Sequence, residues 1–333
     1  MVDELRFSVV VPTYNRAALL RGLLDALMAQ QYSREAFEVI VVDDASPDET
    51  PVLLAELAQG WPVRHLRHPH NRGQAAGRNW GIQEARGEFV AFTDDDCLPP
   101  ADWLDHLDRL LKQYPWCAGA GGLQLPLRVE TLAGRFWEAR ADIWAKVGHE
   151  PYEVTRQRFV APGTNNVAYR REVLLKLGGF CEELRDGEDA DLNWRLLEMG
   201  ERLLLDPALQ VRHHDPRTVG QLWRQFTHEG ANVFPYLMRH GGYSRVLRVG
   251  VRRALEPVAV LGLLGSLAQP GLLALPLLYL MLVLLLRRRW LGHASGPGEG
   301  VQFALLTLMH EMATSVGFFR GALSYLSRRL SPA

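Results

Sequence analysis

FSVVVPTYNR (7–16), EVIVVDDAS (38–46) and EFVAFTDDD (88–96) share one design: an unbroken apolar, largely β-branched run that ends in a polar cluster. A half-solvated strand alternates apolar and polar residues, whereas a strand covered on both faces does not, so these runs read as strands of a parallel sheet. The clearest are 7–11, 39–42 and 89–93. Between them, 17–30 sets Leu19, Leu20, Leu23, Leu24 and Leu27 on one helical stripe, and 47–58 and 74–85 are also expected to be helical. The succession is a βαβ series, the signature of an α/β fold with a mostly parallel central sheet flanked by helices.

Further along, a helix is expected over 102–111, and the pattern then loosens between Pro115 and Pro162 around Phe136, Trp137, Trp144 and Tyr152. Order returns with a helix over 171–177 stopped by Gly178-Gly179, and another over 189–199 ending at Gly200.

The chain has 333 residues, 47% hydrophobic and 23% charged, with 37 Lys and Arg against 38 Asp and Glu. That excludes a disordered tail, a collagen-like repeat and a disulfide miniprotein, and near-zero net charge argues against a dedicated nucleic-acid binder. Cys97, Cys117 and Cys181 form no CxxC or CxxH spacing and read as reduced thiols, and the first seven residues lack the basic start and long apolar run of a secretory signal. Residues 240–333 hold ten arginines and no lysine against Glu256, Glu299 and Glu311, a net of +7, which leaves −8 for residues 1–239.

The tail contains 30 residues without a formal charge, 257–286, flanked by Arg252-Arg253 and Arg287-Arg288-Arg289. A spanning helix needs about 20 residues and two need about 40 plus a turn, so this stretch is long for one and short for two. Arginines on both sides favour a re-entrant or interfacial hairpin. The segment 301–326, with His310, Glu311 and Arg320, reads as an amphipathic helix, and the alternative is a buried helical subdomain. The expected division is a catalytic domain over 1–235 and a helical, membrane-associated region over 236–333.

In an open parallel sheet, ligands gather where loops leave the carboxyl edge. The clusters there, Pro12-Thr13-Tyr14-Asn15-Arg16, Asp43-Asp44-Ala45-Ser46 and Thr93-Asp94-Asp95-Asp96, contain neither GxGxxG nor a P-loop, which disfavours a dinucleotide site. Ser46-Pro47-Asp48-Glu49 reads as a capping box. Asp94 to Asp96 repel one another unless a cation compensates, and a divalent metal shared with phosphate oxygens is the simplest one. Arg72 and Arg78, near a helix start, suit an anion. Glu188, Asp189 and Asp191 either complement a helix dipole or supply a general base, and His213 and His214 are either exposed polar residues or a metal ligand.

In this order the motifs SVVVPTYNR, EVIVVDDAS, NRGQAAGRNWGI, FTDDDC, GTNNVAYRR, LGGF, GEDADLNWRL and VRHH resemble the family-2 glycosyltransferases of the GT-A fold, over roughly residues 7–230. The resemblance implies an inverting, metal-dependent transferase that uses a nucleotide-diphosphate sugar and Mn²⁺ or Mg²⁺. It places Pro12, Tyr14, Asn15, Arg16 and Asp44 around the base, Arg78 near the diphosphate, Asp95 at the ribose, and Asp96 on the metal with Asp94 in support. His213 falls on the position that completes metal coordination, with His214 as its competitor. Glu188 and Asp189 form the catalytic pair, with Asp189 as base, and Asn166, Arg170 and Arg171 stand on the acceptor side. Processive synthases of the family carry QxxRW, whereas Gln221, Arg224 and Gln225 give QxxRQ, so single-sugar transfer is expected.

The acceptor expected is a lipid-linked or membrane-proximal glycan, at the cytoplasmic face of a membrane to which the C-terminal helices anchor the enzyme. Two rivals are a sugar-nucleotide pyrophosphorylase, which would need a glycine-rich loop after the first strand, and a non-catalytic membrane-bound sugar-binding or scaffold protein on the same fold.

Overall fold

The computed structural model describes residues 5–57, 63–127, 130–144, 148–184, 187–214, 218–265 and 273–330. It forms two compact units, one of residues 1–127 and 144–214, the other of 128–143 and 215–333. The expected break at 235 falls inside a continuous helix, and the apolar segment around Phe136 belongs to the second unit.

The first unit opens with β1 (Phe7–Thr13), α1 (Ala17–Met28), β2 (Phe37–Asp43), α2 (Thr50–Leu57), β3 (Val63–Arg67), α3 (Gln74–Glu84), β4 (Phe89–Phe92), β5 (Cys97–Leu98), α4 (Trp103–Gln113) and β6 (Gly119–Pro126). After α5 (Leu132–Trp144), which packs in the second unit, come β7 (Tyr152–Val154), β8 (Val167–Arg170), α6 (Arg171–Leu177), α7 (Glu188–Glu198) and β9 (Leu203–His213).

Among the described residues nine strands form one sheet in the order β3-β2-β1-β4-β8-β6-β9-β5, with β7 on β9. β3, β2, β1 and β4 run parallel, while β8 is antiparallel to both β4 and β6. Every residue of β1 and β2 is buried, as their unbroken apolar runs require. Val9, Val11, Val39 and Val41 face a core shared with α1 and α4, and Val10, Ile40 and Val42 face one shared with α3, α6 and α7.

Gly77 and Gly81 set the distance between α3 and the sheet, and Gly73, four residues earlier, turns the chain into the helix. Gly73 precedes the helix at φ +90°, a left-handed conformation that glycine adopts without steric cost. A Cβ at Gly81 would lie 2.3 Å from Val10 Cγ1, and one at Gly77 would lie 3.3 Å from Pro12 Cβ.

The expected capping box does not form. Ala45 turns the chain at φ +65°, which points the Ser46 amide at Asp43 Oδ1 (2.8 Å) and leaves the Ser46 hydroxyl to accept from Asn15 N (2.9 Å). Asp48 caps instead: it accepts from Thr50 N at the start of α2 and from Ala17 N at the start of α1.

The second unit adds α8 (Val219–His240), α9 (Gly242–Gly265), α10 (Ala274–Leu286), α11 (Arg288–Leu291) and α12 (Pro297–Leu330) to α5. Phe136, Leu222, Phe226, Trp290 and Phe303 build its core. α8 and α12 meet backbone to backbone, since a Cβ at Gly230 would lie 2.2 Å from Thr314 O and one at Gly317 would lie 2.0 Å from Thr227 O. No helix among the described residues is long and apolar enough to cross a membrane. The 13 residues of α10 span only about 20 Å, short of a hydrocarbon core of about 30 Å. Residues 266–272, within the expected hairpin of 257–286, lie outside the described residues.

Candidate active site

All the expected site residues fall in the first unit. The carboxyl ends of β1, β2 and β4 bring together Thr13 to Arg16, Asp43 to Ser46, and Thr93 to Asp96. Among the described residues two non-glycine residues hold positive φ, Asn15 (57°) and Ala45 (65°), and both stand on this edge. Such backbone costs on the order of 1–2 kcal/mol per residue and clusters where a ligand site dictates chain direction. Pro12 is buried against α3, whereas the Tyr14 ring is 45% exposed.

Two arginines offset part of the charge of the aspartate triplet, so the expected cationic compensation comes in part from guanidinium groups. Arg78 Nη2 donates to Asp94 Oδ1 at 2.7 Å. Arg16 Nη1 lies 3.0 Å from Asp95 Oδ1 and 2.7 Å from Asp96 Oδ2. Asp95 also accepts from Thr13 Oγ1 (2.8 Å) and is almost fully buried; burial pushes its carboxyl up to about 6, with Arg16 pulling down and Asp96 adding to the rise. For Asp96, burial pulls upward, but His213 and Arg16 outweigh it and hold the carboxyl below the usual range.

The residues suited to a divalent cation are Asp96 and His213. Asp96 Oδ1 is buried and lies 3.1 Å from His213 Nε2, in ion-pair range but without hydrogen-bond geometry. A buried carboxylate oxygen left in that state facing an imidazole is a donor set for Mn²⁺ or Mg²⁺. His213 ends β9 and pairs in register with Cys97, while His214 N bonds to Asp96 O (2.9 Å), so the imidazole beside Asp96 is that of His213. Asp94 points to Arg78 and not to this pair.

Asp44 is buried and accepts from His68 Nδ1 (2.7 Å), Arg72 N (2.8 Å) and Gly73 N (2.7 Å). It therefore fastens the loop leading into α3 to the end of β2, and His68 in turn stacks on Trp80 at 4.9 Å. Arg72 sends its guanidinium to Glu182.

Arg78 is 1% exposed and bridges two elements: Nη1 reaches Glu188 Oε1 (2.5 Å) and Nη2 reaches Asp94. Gln74 Nε2 also donates to Glu188 Oε1 (2.9 Å). Arg78 is thus held between two carboxylates, and buried Glu188 is a positioning residue. Its neighbour Asp189 remains partly exposed at the first turn of α7, where Oδ1 accepts from Ala190 N (2.7 Å). Burial raises the Asp189 carboxyl and Asp94 adds to the rise, against Ala190 N–H and Arg78. A Cβ on Gly163 would lie 3.5 Å from Asp189 Oδ2, so the loop before β8 closes on this carboxylate.

Of the three expected acceptor-side residues, none presents its side chain to the crevice. Asn166 is fully buried, accepting from Trp103 Nε1 (2.9 Å) and donating to Leu123 O and Leu209 O. Because β8 runs antiparallel to β4, Arg170 pairs with Phe89 at the amino edge, where it bonds Cys117 O and Pro115 O. Arg171 follows it, its amide on Glu88 O. Thr13, His68 and Gln74 were not legible as site residues. Each acts on an aspartate or glutamate 24 to 114 positions away, and only the four-residue spacing of glycines in 73–81 hinted that this segment approaches the sheet closely.

The fold and site define an α/β protein of GT-A-like type. Residues 8–119 match the model of Glycosyl transferase family 2. A pre-mycofactocin glycosyltransferase of Mycobacterium tuberculosis is 32% identical over 244 residues, 70% of this chain but 48% of that protein; the chain spans about half the length of this relative. A Methanococcus voltae protein, dolichyl N-acetyl-alpha-D-glucosaminyl phosphate 3-beta-D-2,3-diacetamido-2,3-dideoxy-beta-D-glucuronosyltransferase, is 25% identical over 331 residues, covering 94% of this chain and 96% of that one. Among solved structures, the mannosyltransferase PcManGT from Pyrobaculum calidifontis, in complex with GDP-Man and Mn²⁺, has a TM-score of 0.61 at 22% identity, covering 97% of this chain and 88% of that one. At that identity the likeness is one of fold.

Proposed function

We propose that the chain is an inverting glycosyltransferase that moves one sugar from a nucleotide-diphosphate donor to a hydroxyl acceptor. The observation that carries this is a single crevice holding a metal-suited pair, Asp96 and His213, and a partly exposed carboxylate, Asp189, that burial makes more basic than an ordinary aspartate. A divalent cation held by Asp96 and His213 supplies Lewis-acid stabilisation of the leaving diphosphate. Asp95 and Tyr14 stand where a nucleoside would lie, and Arg16 lends positive charge beside them. Asp189 accepts the acceptor's proton as its oxygen attacks the anomeric carbon, and the bond to the diphosphate breaks on the opposite face. One base and one displacement invert the centre. Arg78 and Glu188 keep α7, and with it Asp189, in register with the triplet. A screen of sugar nucleotides for nucleotide-diphosphate release, with Mn²⁺ and with chelator, tests this; no release or transfer with any donor in Mn²⁺ rejects it in favour of a non-catalytic protein.

A lipid-linked or membrane-proximal acceptor is part of this reading, supported by the name of the Methanococcus relative and by the apolar surfaces of α9 and α10 in the second unit. Glu256 and Glu311 are buried, Glu311 between Arg253 (3.0 Å) and Arg287 (2.6 Å), while α9 exposes Leu247, Val251, Leu255 and Val258, and α10 exposes Leu278, Met281, Leu282 and Leu285. Charges inside and an apolar stripe outside suit helices lying in a lipid interface, and nearby arginines suit an anionic leaflet. We place the enzyme at the cytoplasmic face, where nucleotide sugars are made. QxxRQ in place of QxxRW supports single transfer over polymer synthesis.

A further inference from the structure

Asp96 and His213 have a third neighbour with a donor atom. One ligand atom from each of Asp96, Cys97 and His213 lies within 4.8 Å of the other two. The register accounts for this: Cys97 of β5 is paired directly with His213 of β9, and antiparallel partners project their side chains to the same side of a sheet. Cys97 is fully buried, so its sulfur is withheld from solvent but not from an ion seated between the two flanking ligands. Tetrahedral zinc, with bonds of about 2.0–2.1 Å to N or O and 2.3 Å to S, sets its ligands roughly 3.3–3.6 Å apart. Contraction by at most about 1.2–1.5 Å from the upper bound of 4.8 Å therefore closes the set.

The chemical character of the set differs from that of its carboxylate and imidazole alone. Those two suit Mg²⁺ or Mn²⁺, whereas a thiolate added to them selects thiophilic ions. We propose that Cys97 is a third protein ligand at this site, so that it captures Zn²⁺ or another thiophilic divalent cation in competition with the hard ion of catalysis. On binding, a sulfur–metal bond forms, the thiol proton leaves to solvent, and no electron is transferred. This rests on reading Asp96 and His213 as the metal pair.

Co²⁺ replaces Zn²⁺ with a visible signature. In the full chain, Co²⁺ is expected to give ligand-field bands together with a near-ultraviolet sulfur-to-cobalt charge-transfer band. Cys97→Ser should lose the charge-transfer band, keep ligand-field bands from Asp96 and His213, and bind Zn²⁺ at least tenfold more weakly by competition with a chromophoric chelator, given that even outer-shell partners contribute about 10–100-fold. Cys97→Ala, checked for folding by circular dichroism, should behave alike. Ligand-field bands without charge transfer in the unmodified chain would remove Cys97 and leave the Asp96–His213 reading standing. No cobalt spectrum at all, with Mn²⁺ also failing to bind, would remove both.

Discussion

Arg78 on α3 and Glu188 on α7 meet at 2.5 Å in the interior, 110 residues apart in sequence, and Asp94 holds the other end of the same guanidinium. A buried ion triad of this kind is weak as a source of net stability but costly to break, because removing one member strands the others. Arg78→Ala leaves two carboxylates without their cation and is expected to lower unfolding free energy by about 3–5 kcal/mol in urea titration. Glu188→Gln keeps an oxygen for Arg78 and Gln74 and should cost less. Equal, small losses for both variants would show that the bridge does not organise the crevice.

Asp189 predicts opposite effects on activity and stability. Its folded carboxyl is raised above the unfolded value, so the fold favours the protonated form. Its stability contribution is therefore greatest at low pH and falls as pH rises through the folded value, and at neutral pH the ionised group destabilises. Asp189→Asn should leave Tm unchanged or raised at neutral pH while kcat drops about 10²–10⁴-fold. In the unmodified enzyme, kcat should decline with acidification at a pH above the ordinary aspartate range, and the limb should vanish in the residual activity of the variant.

On the proposed reading, metal dependence belongs to Asp96 and His213, and not to the whole triplet. By calorimetry with a nucleoside diphosphate and Mn²⁺, Asp96→Ala and His213→Ala should each lose on the order of tenfold or more in affinity, with little change in chelator. His214→Ala should match the unmodified chain. If His214→Ala alone weakens binding, the imidazole assignment is reversed.

What the sequence revealed and what it hid separate along physical lines. β1, β2 and β4 were legible because strands covered on both faces leave unbroken apolar runs, and their polar ends marked the crevice. Arg170 was misplaced because its position depends on the direction of β8, which its own residues do not encode; an antiparallel strand carries the end of a crevice motif to the far edge. The carboxylate partners of Arg78, 16 and 110 positions away, were hidden because they come together only in the fold. Ser46 lost its capping role to Asp48 through one left-handed residue, Ala45, which no local preference announces.

The glycines of α3 give a packing test away from the chemistry. Gly81→Ala would put a methyl group 2.3 Å from Val10 Cγ1, against β1 in the centre of the sheet. Overpacking of this kind costs about 1–3 kcal/mol, to be read as a fall in Tm with the metal affinity of Asp96 and His213 retained. Gly73→Ala acts differently, through backbone strain at φ +90°, since no atom lies within 4 Å of its Cβ.

Vesicle binding tests the exposed apolar stripes of α9 and α10. Leu278, Met281, Leu282 and Leu285 follow one helical stripe and are each 49–64% exposed. A side chain of this size gains roughly 1.5–3 kcal/mol when fully withdrawn from water, so a stripe of four supplies ample affinity even at partial insertion. The full chain should co-sediment with vesicles containing anionic lipid, more weakly with neutral ones, and less at high salt, since exposed charges are screened beyond about 10 Å at 0.1 M. Replacing Leu278 and Leu282 with serine should release it from both vesicle types, while nucleotide binding in the first unit is unchanged. Vesicle binding that survives these replacements would show that the stripe does not hold the membrane.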